Sequence, residues 1–240
     1  MYQGQKIIVV LPAYNAVQTL ERTVKDLPDL VDEIILVDDA SGDATAERAK
    51  ELGLFVFVHD KNAGYGANQK TCYRLALEHG ADIVVMIHPD YQYDPKLVKY
   101  LVSFIGDDYF EVMLGTRIRS RREALAGGMP LYKYLANRAL TILENLVSGY
   151  NLSEWHTGLR AYKRQVLLEI NWQRNSDNFV FDSEMLFQIV AKKYRLGEVP
   201  APVRYFPEAS SLNFWRSLRY GLSTVRVAIR YLFNPGHFRR

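Results

Sequence analysis

The chain alternates short apolar runs with longer mixed segments, and that rhythm sets the reading. Residues 6–11, 33–37, 54–58, 83–87 and 110–114 are compact apolar runs with the length and β-branched content of buried strands. Helical patterns are expected over 16–27, 44–52, 67–79 and 95–105. Strand–helix alternation of this kind predicts an α/β fold with a mostly parallel sheet. The later chain is less regular. Residues 118–128, with Gly127 and Gly128, read as a lid-like loop. A helix is expected over 130–147, with Leu131, Leu135, Ala139, Ile142 and Leu146 on one face. Another is expected from Phe179 to about Arg195, before Gly197 and a strand over 198–206 whose Pro200 and Pro202 suit a sheet edge. Finally, residues 212–233 predict an amphipathic helix. Trp215, Leu218, Leu222, Val225, Ile229 and Leu232 recur at spacings of three and four, and Phe214 and Phe233 widen that face.

Composition refines this picture. The 240 residues are 48% hydrophobic and 24% charged, as in a globular protein with a real core. Residues 1–6 lead straight into a strand and do not read as a signal peptide. No uncharged apolar run reaches the roughly 18 residues of a membrane span. The single cysteine, Cys72, suits a reducing compartment. The net charge of +3 is uneven. Beyond Glu208 there is no acid, and six arginines give that tail +6, leaving −3 for residues 1–208. The chain is therefore divided into a domain over 1–208 and a basic, aromatic tail over 209–240. A cationic amphipathic helix suits the interface of an anionic membrane. Packing on the domain or on a second copy in a homo-oligomer is the other reading. A nucleic-acid partner is not expected.

Chemistry-bearing residues gather just after the expected strands, where open parallel sheets bind ligands. The first strand ends in Pro12-Ala13-Tyr14-Asn15, with Asn15 placed to cap the next helix. Neither a dinucleotide fingerprint nor a phosphate-binding P-loop follows it. The second strand closes on Asp38-Asp39, carboxylates for capping or for a ribose or base. Asn62-Ala63-Gly64-Tyr65-Gly66 opens a helix with two glycines that allow close backbone approach. The fourth strand runs into His88-Pro89-Asp90-Tyr91-Gln92, an imidazole, a carboxylate and an amide where a ligand or metal would sit. Arg117, Arg119, Arg121 and Arg122 fall within six residues after the fifth strand, and such a cluster suits phosphate.

Together these segments resemble glycosyltransferase family 2, in particular the dolichyl-phosphate-mannose-synthase-like enzymes that glycosylate polyprenyl phosphates. The resemblance spans about residues 5–208 and rests on Leu11-Pro-Ala-Tyr-Asn15, Ile35-Leu-Val-Asp-Asp39-Ala-Ser, Asn62-Ala-Gly64-Tyr-Gly66, Pro89-Asp90-Tyr-Gln92, Gly115-Thr-Arg117, Thr157-Gly-Leu-Arg160 and Glu198-Val-Pro200 in order. It implies a GT-A fold, a Rossmann-like sheet flanked by helices. It implies donor contacts at Pro12, Ala13, Tyr14, Asn15, Asp38, Asp39, Asn62, Gly64, Gly66, Asp90 and Arg117. It implies a divalent cation, Mn2+ or Mg2+, at Asp90 with Gln92. Thr157 and Arg160 match a segment near the acceptor. Two departures stand out: Ala16 replaces the family's glutamate after Tyr-Asn, and His88 replaces the first aspartate of Asp-x-Asp. Imidazole favours manganese over magnesium if His88 is a ligand.

The implied activity is transfer of a hexose, with inversion, from a UDP- or GDP-sugar to a polyprenyl phosphate. Such a protein would be cytoplasmic, held peripherally on a membrane through 212–233. Arg119, Arg121 and Arg122 would serve the anionic acceptor. If the acceptor were instead a hydroxyl of a glycan or glycolipid, a carboxylate base would be needed, and Glu154, Asp182 and Glu184 are the candidates. A catalytically silent nucleotide-sugar-binding module is the reading from another class.

Overall fold

The structure is a computed structural model that describes residues 1–118, 120–202 and 214–239, with side chains in the last segment described from 217 onward. Arg119, the boundary at 208/209 and the side chains of Phe214, Trp215 and Arg216 lie outside the described residues. Among the described residues seven strands make one sheet: β1 (Ile7–Ala13), β2 (Glu33–Asp38), β3 (Phe55–Val58), β4 (Ile83–Ile87), β5 (Val112–Thr116), β6 (Leu159–Lys163) and β7 (Leu196–Pro200). Their order is β3-β2-β1-β4-β6-β5-β7. β1 pairs in parallel with β2 and β4, and β2 with β3. β6 runs antiparallel between β4 and β5, and β5 pairs in parallel with β7 at the edge.

The five expected strands form at nearly the expected places. Both faces of the central strands are buried, which is why they read as unbroken apolar runs. Ile7, Val9, Leu11, Val85 and Ile87 pack under α1 (Val17–Lys25), α2 (Thr45–Glu51) and α4 (Val98–Gly106). Ile8, Val10, Ile35, Val84 and Met86 pack under α3 (Tyr65–Glu78), α7 (Arg164–Glu169) and α8 (Phe181–Ala191). β6 had no counterpart among the expected strands, since Leu-Arg-Ala-Tyr-Lys does not look like a buried run. Inserted between β4 and β5, it makes those two run the same way, so Arg117 emerges on the same edge as Asp90.

Three local features differ from those expected. Residues 120–128, expected within a lid-like loop over 118–128, are not an open loop: Ser120 accepts from the Glu123 N–H at 3.2 Å and caps the short helix α5 (Arg121–Ala126). Ile118, Ala124 and Met129 pack beneath it with Tyr134. Asn15 does not cap α1; it adopts φ 52°, and Ala16 precedes the helix, its N–H bonded to Thr45 Oγ1 at 2.8 Å. The glycine pair at 64 and 66 approaches the chain's own backbone rather than open space. The Gly66 N–H donates to the Asp177 carbonyl at 2.8 Å, and Gly64 holds φ 103° beside it.

Two further helices, α6 (Leu131–Ser148) and α9 (Phe214–Phe233), pack on each other and over α8.

The 64–66 contact is testable. A methyl group at residue 66 would lie 2.9 Å from both the Asp177 carbonyl carbon and Phe181 Cβ, neither of which is a flexible side-chain tip. Gly66→Ala is expected to cost about 1–3 kcal/mol by overpacking. Thermal denaturation reads it, and an unchanged midpoint would mean that the 176–178 turn yields freely.

Candidate active site

Going outward from β1, the chain turns one way to β2 and β3 and the other way to β4, so the sheet's switch point lies between β1 and β4. The crevice at their carboxyl ends is bounded by Pro12–Asn15 on one side and Asp90 on the other. Local ties fix the β1 and β2 loops. The Asn15 N–H donates to Ser41 Oγ and its side-chain oxygen accepts from the Gly42 N–H, both at 2.8 Å. Asp38 accepts from the Ser41 N–H at 3.1 Å and from its hydroxyl. Asp39 accepts from the N–H groups of Ala63 and Gly64 at 2.8 and 3.0 Å and lies 2.7 Å from His59 Nδ1. Asn62 donates to the Asp39 carbonyl at 3.3 Å. The two aspartates expected at a nucleotide therefore brace the loops that frame the crevice. Tyr14 stands exposed at its rim.

Beyond β4 the backbone makes a costly turn. Tyr91 sits at φ 57°, a region tyrosine rarely adopts, at an expense of order 1–3 kcal/mol. Its ring swings back to α1, where it bonds Asp26 and lies 4.0 Å below the Arg22 guanidinium. That leaves Asp90 and Gln92, both nearly buried, on the crevice side, with Asp90 accepting from the Gln92 N–H at 3.1 Å.

His88 is tied into a second chain of bonds. Its Nε2 lies 3.1 Å from the Tyr65 hydroxyl, which donates to Asp182 at 2.8 Å. Burial pushes the Tyr65 pKa up and the His88 pKa down; Asp90 and Asp182 oppose the latter shift and Arg160 and Arg117 reinforce it. A neutral imidazole whose Nε2 carries the proton satisfies this chain of bonds. The opposite ring edge abuts Gly158, where a methyl group would come within 2.8 Å of Nδ1. His88, expected among the metal ligands, thus has its Nε2 engaged with Tyr65, and Asp90 is the charge that acts on it most strongly. Among the described residues no group of three or more His, Cys, Asp or Glu side chains is placed to hold an ion. Asp90 alone with Gln92 still fits a cation brought in on substrate phosphates, since magnesium is commonly held by one or two carboxylates plus such oxygens.

Arg117 leaves β5 and is locked in place. Its backbone N–H donates to Glu154 Oε2 at 2.8 Å and its Nε to Oε1 at 2.9 Å; its terminal nitrogen bonds Oε1 and the His156 carbonyl. Asn137 adds a bond to Glu154 Oε1 at 2.9 Å, and Glu154 is fully buried. Asp182 accepts from Tyr65, from Gln69 at 3.0 Å, and faces an Arg160 nitrogen at 3.4 Å. Neither expected base stands open. Glu184, the third, accepts from the Ser176 N–H at 2.6 Å, and burial raises its pKa. Thr157 and Arg160, expected near the acceptor, are buried beneath the site: Arg160 donates to the carbonyls of Thr157 and Trp155 at 2.8 and 2.9 Å. Arg121 and Arg122 are exposed on α5.

Three site residues carry no sequence signal of their own. Tyr65 joins His88 to Asp182. Tyr93 accepts from the Gly158 N–H at 2.8 Å, and its ring lies 5.8 Å below the Arg117 guanidinium. Lys133, on α6, is close enough to Arg117 that burial and then that charge lower its pKa. Only the helical register of α6 could have pointed to Lys133.

The solved structure of glucosyl-3-phosphoglycerate synthase from Mycobacterium tuberculosis superposes with a TM-score of 0.73 at 22% identity, covering 94% of this chain and 79% of that one. The fold is therefore the GT-A fold of glycosyltransferases. The sequence signature of Glycosyl transferase family 2 matches residues 8–170, and the chain belongs to that family. It is 32% identical over 219 residues to UDP-N-acetylglucosamine–dolichyl-phosphate N-acetylglucosaminyltransferase of Methanococcus voltae, covering 83% of this chain and 86% of that one. It is 28% identical over 232 residues to dolichyl-phosphate hexose transferase of Haloferax volcanii, covering 95% and 96% respectively. The protein is a glycosyltransferase, as the resemblance implied.

If Glu154 serves to hold Arg117, its loss should be felt in stability. Glu154→Gln leaves a guanidinium only 13% exposed without its counter-charge and is expected to cost about 3 kcal/mol. Chemical denaturation measures this. Wild-type stability with activity gone would instead restore Glu154 as a base.

Proposed function

We propose that the protein transfers a hexose from a nucleotide sugar to a polyprenyl phosphate at a membrane surface, with inversion at the anomeric carbon. The observation that carries this reading is the occupation of the carboxylates. Glu154 is enclosed by Arg117 and Asn137, and Asp182 by Tyr65, Gln69 and Arg160. A hydroxyl acceptor needs a base to take its proton. A phosphate monoester, with a second pKa near 6, arrives already ionised. The names of the relatives from Methanococcus voltae and Haloferax volcanii, both dolichyl-phosphate transferases, support the same acceptor class.

In this reading the donor lies in the β1/β4 crevice, its nucleoside end framed by Pro12–Asn15 and the braced Asp38–Asp39 loop. Asp90, with Gln92 beside it, would hold a divalent cation on the donor diphosphate; the M. tuberculosis neighbour has been crystallised with Mn2+ and UDP-glucose. When bound, the ion supplies positive charge to the departing diphosphate. Arg117, fixed by Glu154, presents a guanidinium whose position need not be found during the reaction. Lys133 adds a second cation nearby. An acceptor phosphate oxygen attacks the anomeric carbon, the bond to the diphosphate oxygen breaks, and the nucleoside diphosphate leaves with the electron pair. His88, Tyr65 and Asp182 are joined by hydrogen bonds at the floor of the site.

The test is a panel of UDP-glucose, UDP-N-acetylglucosamine and GDP-mannose with dolichyl or undecaprenyl phosphate, followed by counting label in the lipid phase. Transfer to the lipid phosphate and none to the matching prenol is expected. Transfer to hydroxyls of prenols or glycolipids alone would refute the acceptor. With the active donor, Asp90→Asn is expected to lower kcat at least about a hundredfold while leaving the melting midpoint near wild type. Wild-type turnover in that variant would remove Asp90 from the donor site.

A further inference from the structure

His156 lies where three helices meet. Its Nε2 is 3.0 Å from Glu144 Oε2 of α6, and its Nδ1 bonds the Tyr220 hydroxyl of α9. The Tyr220 ring meets the imidazole edge-on, with centroids 5.4 Å apart. Glu144 is fully buried and also accepts from Ser183 of α8 at 2.9 Å. A buried carboxylate without partners is costly, so this cluster holds the imidazole firmly between α6 and α9.

The backbone of the same residue reaches the active site. Three successive carbonyls divide themselves between two guanidiniums. Those of Trp155 and Thr157 accept from Arg160 at 2.9 and 2.8 Å, and that of His156, between them, accepts from the terminal nitrogen of Arg117. Glu154 holds the same guanidinium from its other side, with Oε1 accepting from Nε at 2.9 Å. Arg117 thus has two anchors. One is a side chain. The other is a main-chain oxygen whose own residue is gripped by its ring. The Arg160 bonds fix the peptides on either side, so a shift of the imidazole is felt at the His156 carbonyl.

We propose that His156 is a positioning residue for Arg117: clamped by Glu144 and Tyr220, it holds the main-chain oxygen that aims the guanidinium, and so ties the seating of α9 to catalysis. Its side chain is 8% exposed, so it acts through Arg117 rather than on substrate. A donor aimed in advance at developing charge stabilises the transition state without reorganising, and a misplacement of about 1 Å can cost about a hundredfold in rate. Loss of that aim lowers kcat more than it raises the KM for the donor. The inference rests on the reading in which Arg117 serves the transferred phosphates, and it adds that a side chain of the C-terminal helix sets how well Arg117 does so.

The experiment measures kcat, donor KM and melting for His156→Ala, His156→Gln, Tyr220→Phe and Arg117→Ala, and for Arg117→Ala combined with each of the other three, using lipid phosphate and the active donor of the panel above. His156→Ala is expected to lower kcat at least about tenfold with donor KM within about twofold of wild type. Glutamine can accept from Tyr220 and donate to Glu144, so His156→Gln should recover most of the loss. In the Arg117→Ala background neither His156 variant should lower kcat further, since the effect runs through the missing guanidinium. A wild-type kcat in His156→Ala overturns the proposal. So does a loss that multiplies with that of Arg117→Ala, which would mark the cluster as packing alone. If His156→Ala folds poorly, Tyr220→Phe decides by the same two criteria. It removes only the hydroxyl and keeps the ring, which also meets Phe179 with centroids 6.5 Å apart. Wild-type turnover in Arg117→Ala would sink the parent reading together with this one, whereas loss there with His156→Ala intact sinks only this one. If no donor of the panel is transferred, phenylglyoxal labelling of Arg117, read by peptide mass, decides. Faster labelling in His156→Ala than in wild type supports the clamp, and an equal rate overturns it.

Discussion

Arg160 has no exposed surface, and its charge dictates what surrounds it. A buried guanidinium left unpaired is among the most costly groups a protein can hold. It is answered by Asp182 at 3.4 Å and by the carbonyls of Thr157, Trp155 and Asp182 itself. Those bonds pin the 155–158 loop to the first turn of α8. The same loop offers the His156 carbonyl to Arg117, the Gly158 N–H to Tyr93, and the His156 ring to Tyr220 of α9. Beneath the crevice, then, one paired cation organises the strand that carries Arg117, the turn that follows β4, and the helix that closes the outer face.

A second buried pair, Arg117 with Glu154, repeats the device nearer the surface. Glu198 of β7 extends it by accepting from the N–H groups of Ser153 and Glu154 at 2.8 and 3.2 Å. Replacing such pairs with apolar residues is often no loss in stability, so their value here is geometric: they fix a cation at the mouth of the crevice without leaving a carboxylate to act as a base. The chemistry that suits this frame is one in which the acceptor brings its own negative charge.

The parts of the fold legible in the sequence are those whose causes are local. β1, β2, β4 and β5 are apolar because both sheet faces are covered. Asp90 follows the fourth apolar run by three residues, so its place at a strand end is evident from the pattern of side chains alone. What stayed hidden depends on partners far along the chain. β6 carries an arginine in its interior, and Asp182, on α8, with the carbonyls of the 155–157 loop makes that strand tolerable. Gly64 and Gly66 suit a phosphate loop equally well until the 176–178 turn is seen against them. His88 looks like a metal ligand by position, and the contact of its Nε2 with Tyr65 has no signal in the sequence. α6 has a clear amphipathic period, but the period does not say which face goes inward; Glu144 and Asn137 decide it by meeting Ser183 and Glu154. Glu154 and Asp182 were visible as carboxylates, and their roles changed once their partners were known.

The central claim is that the acceptor, not a side chain, supplies the nucleophilic charge. It is tested most directly by the pH dependence of kcat/KM with two acceptors that differ in their own acidity, a polyprenyl phosphate and the matching phosphonate, whose second ionisation lies higher. The acidic limb is predicted to fall near pH 6 for the phosphate and to move upward with the phosphonate. A limb that stays at one pH for both acceptors, and disappears in Glu154→Gln or Asp182→Asn, would assign the charge to the enzyme and contradict the account.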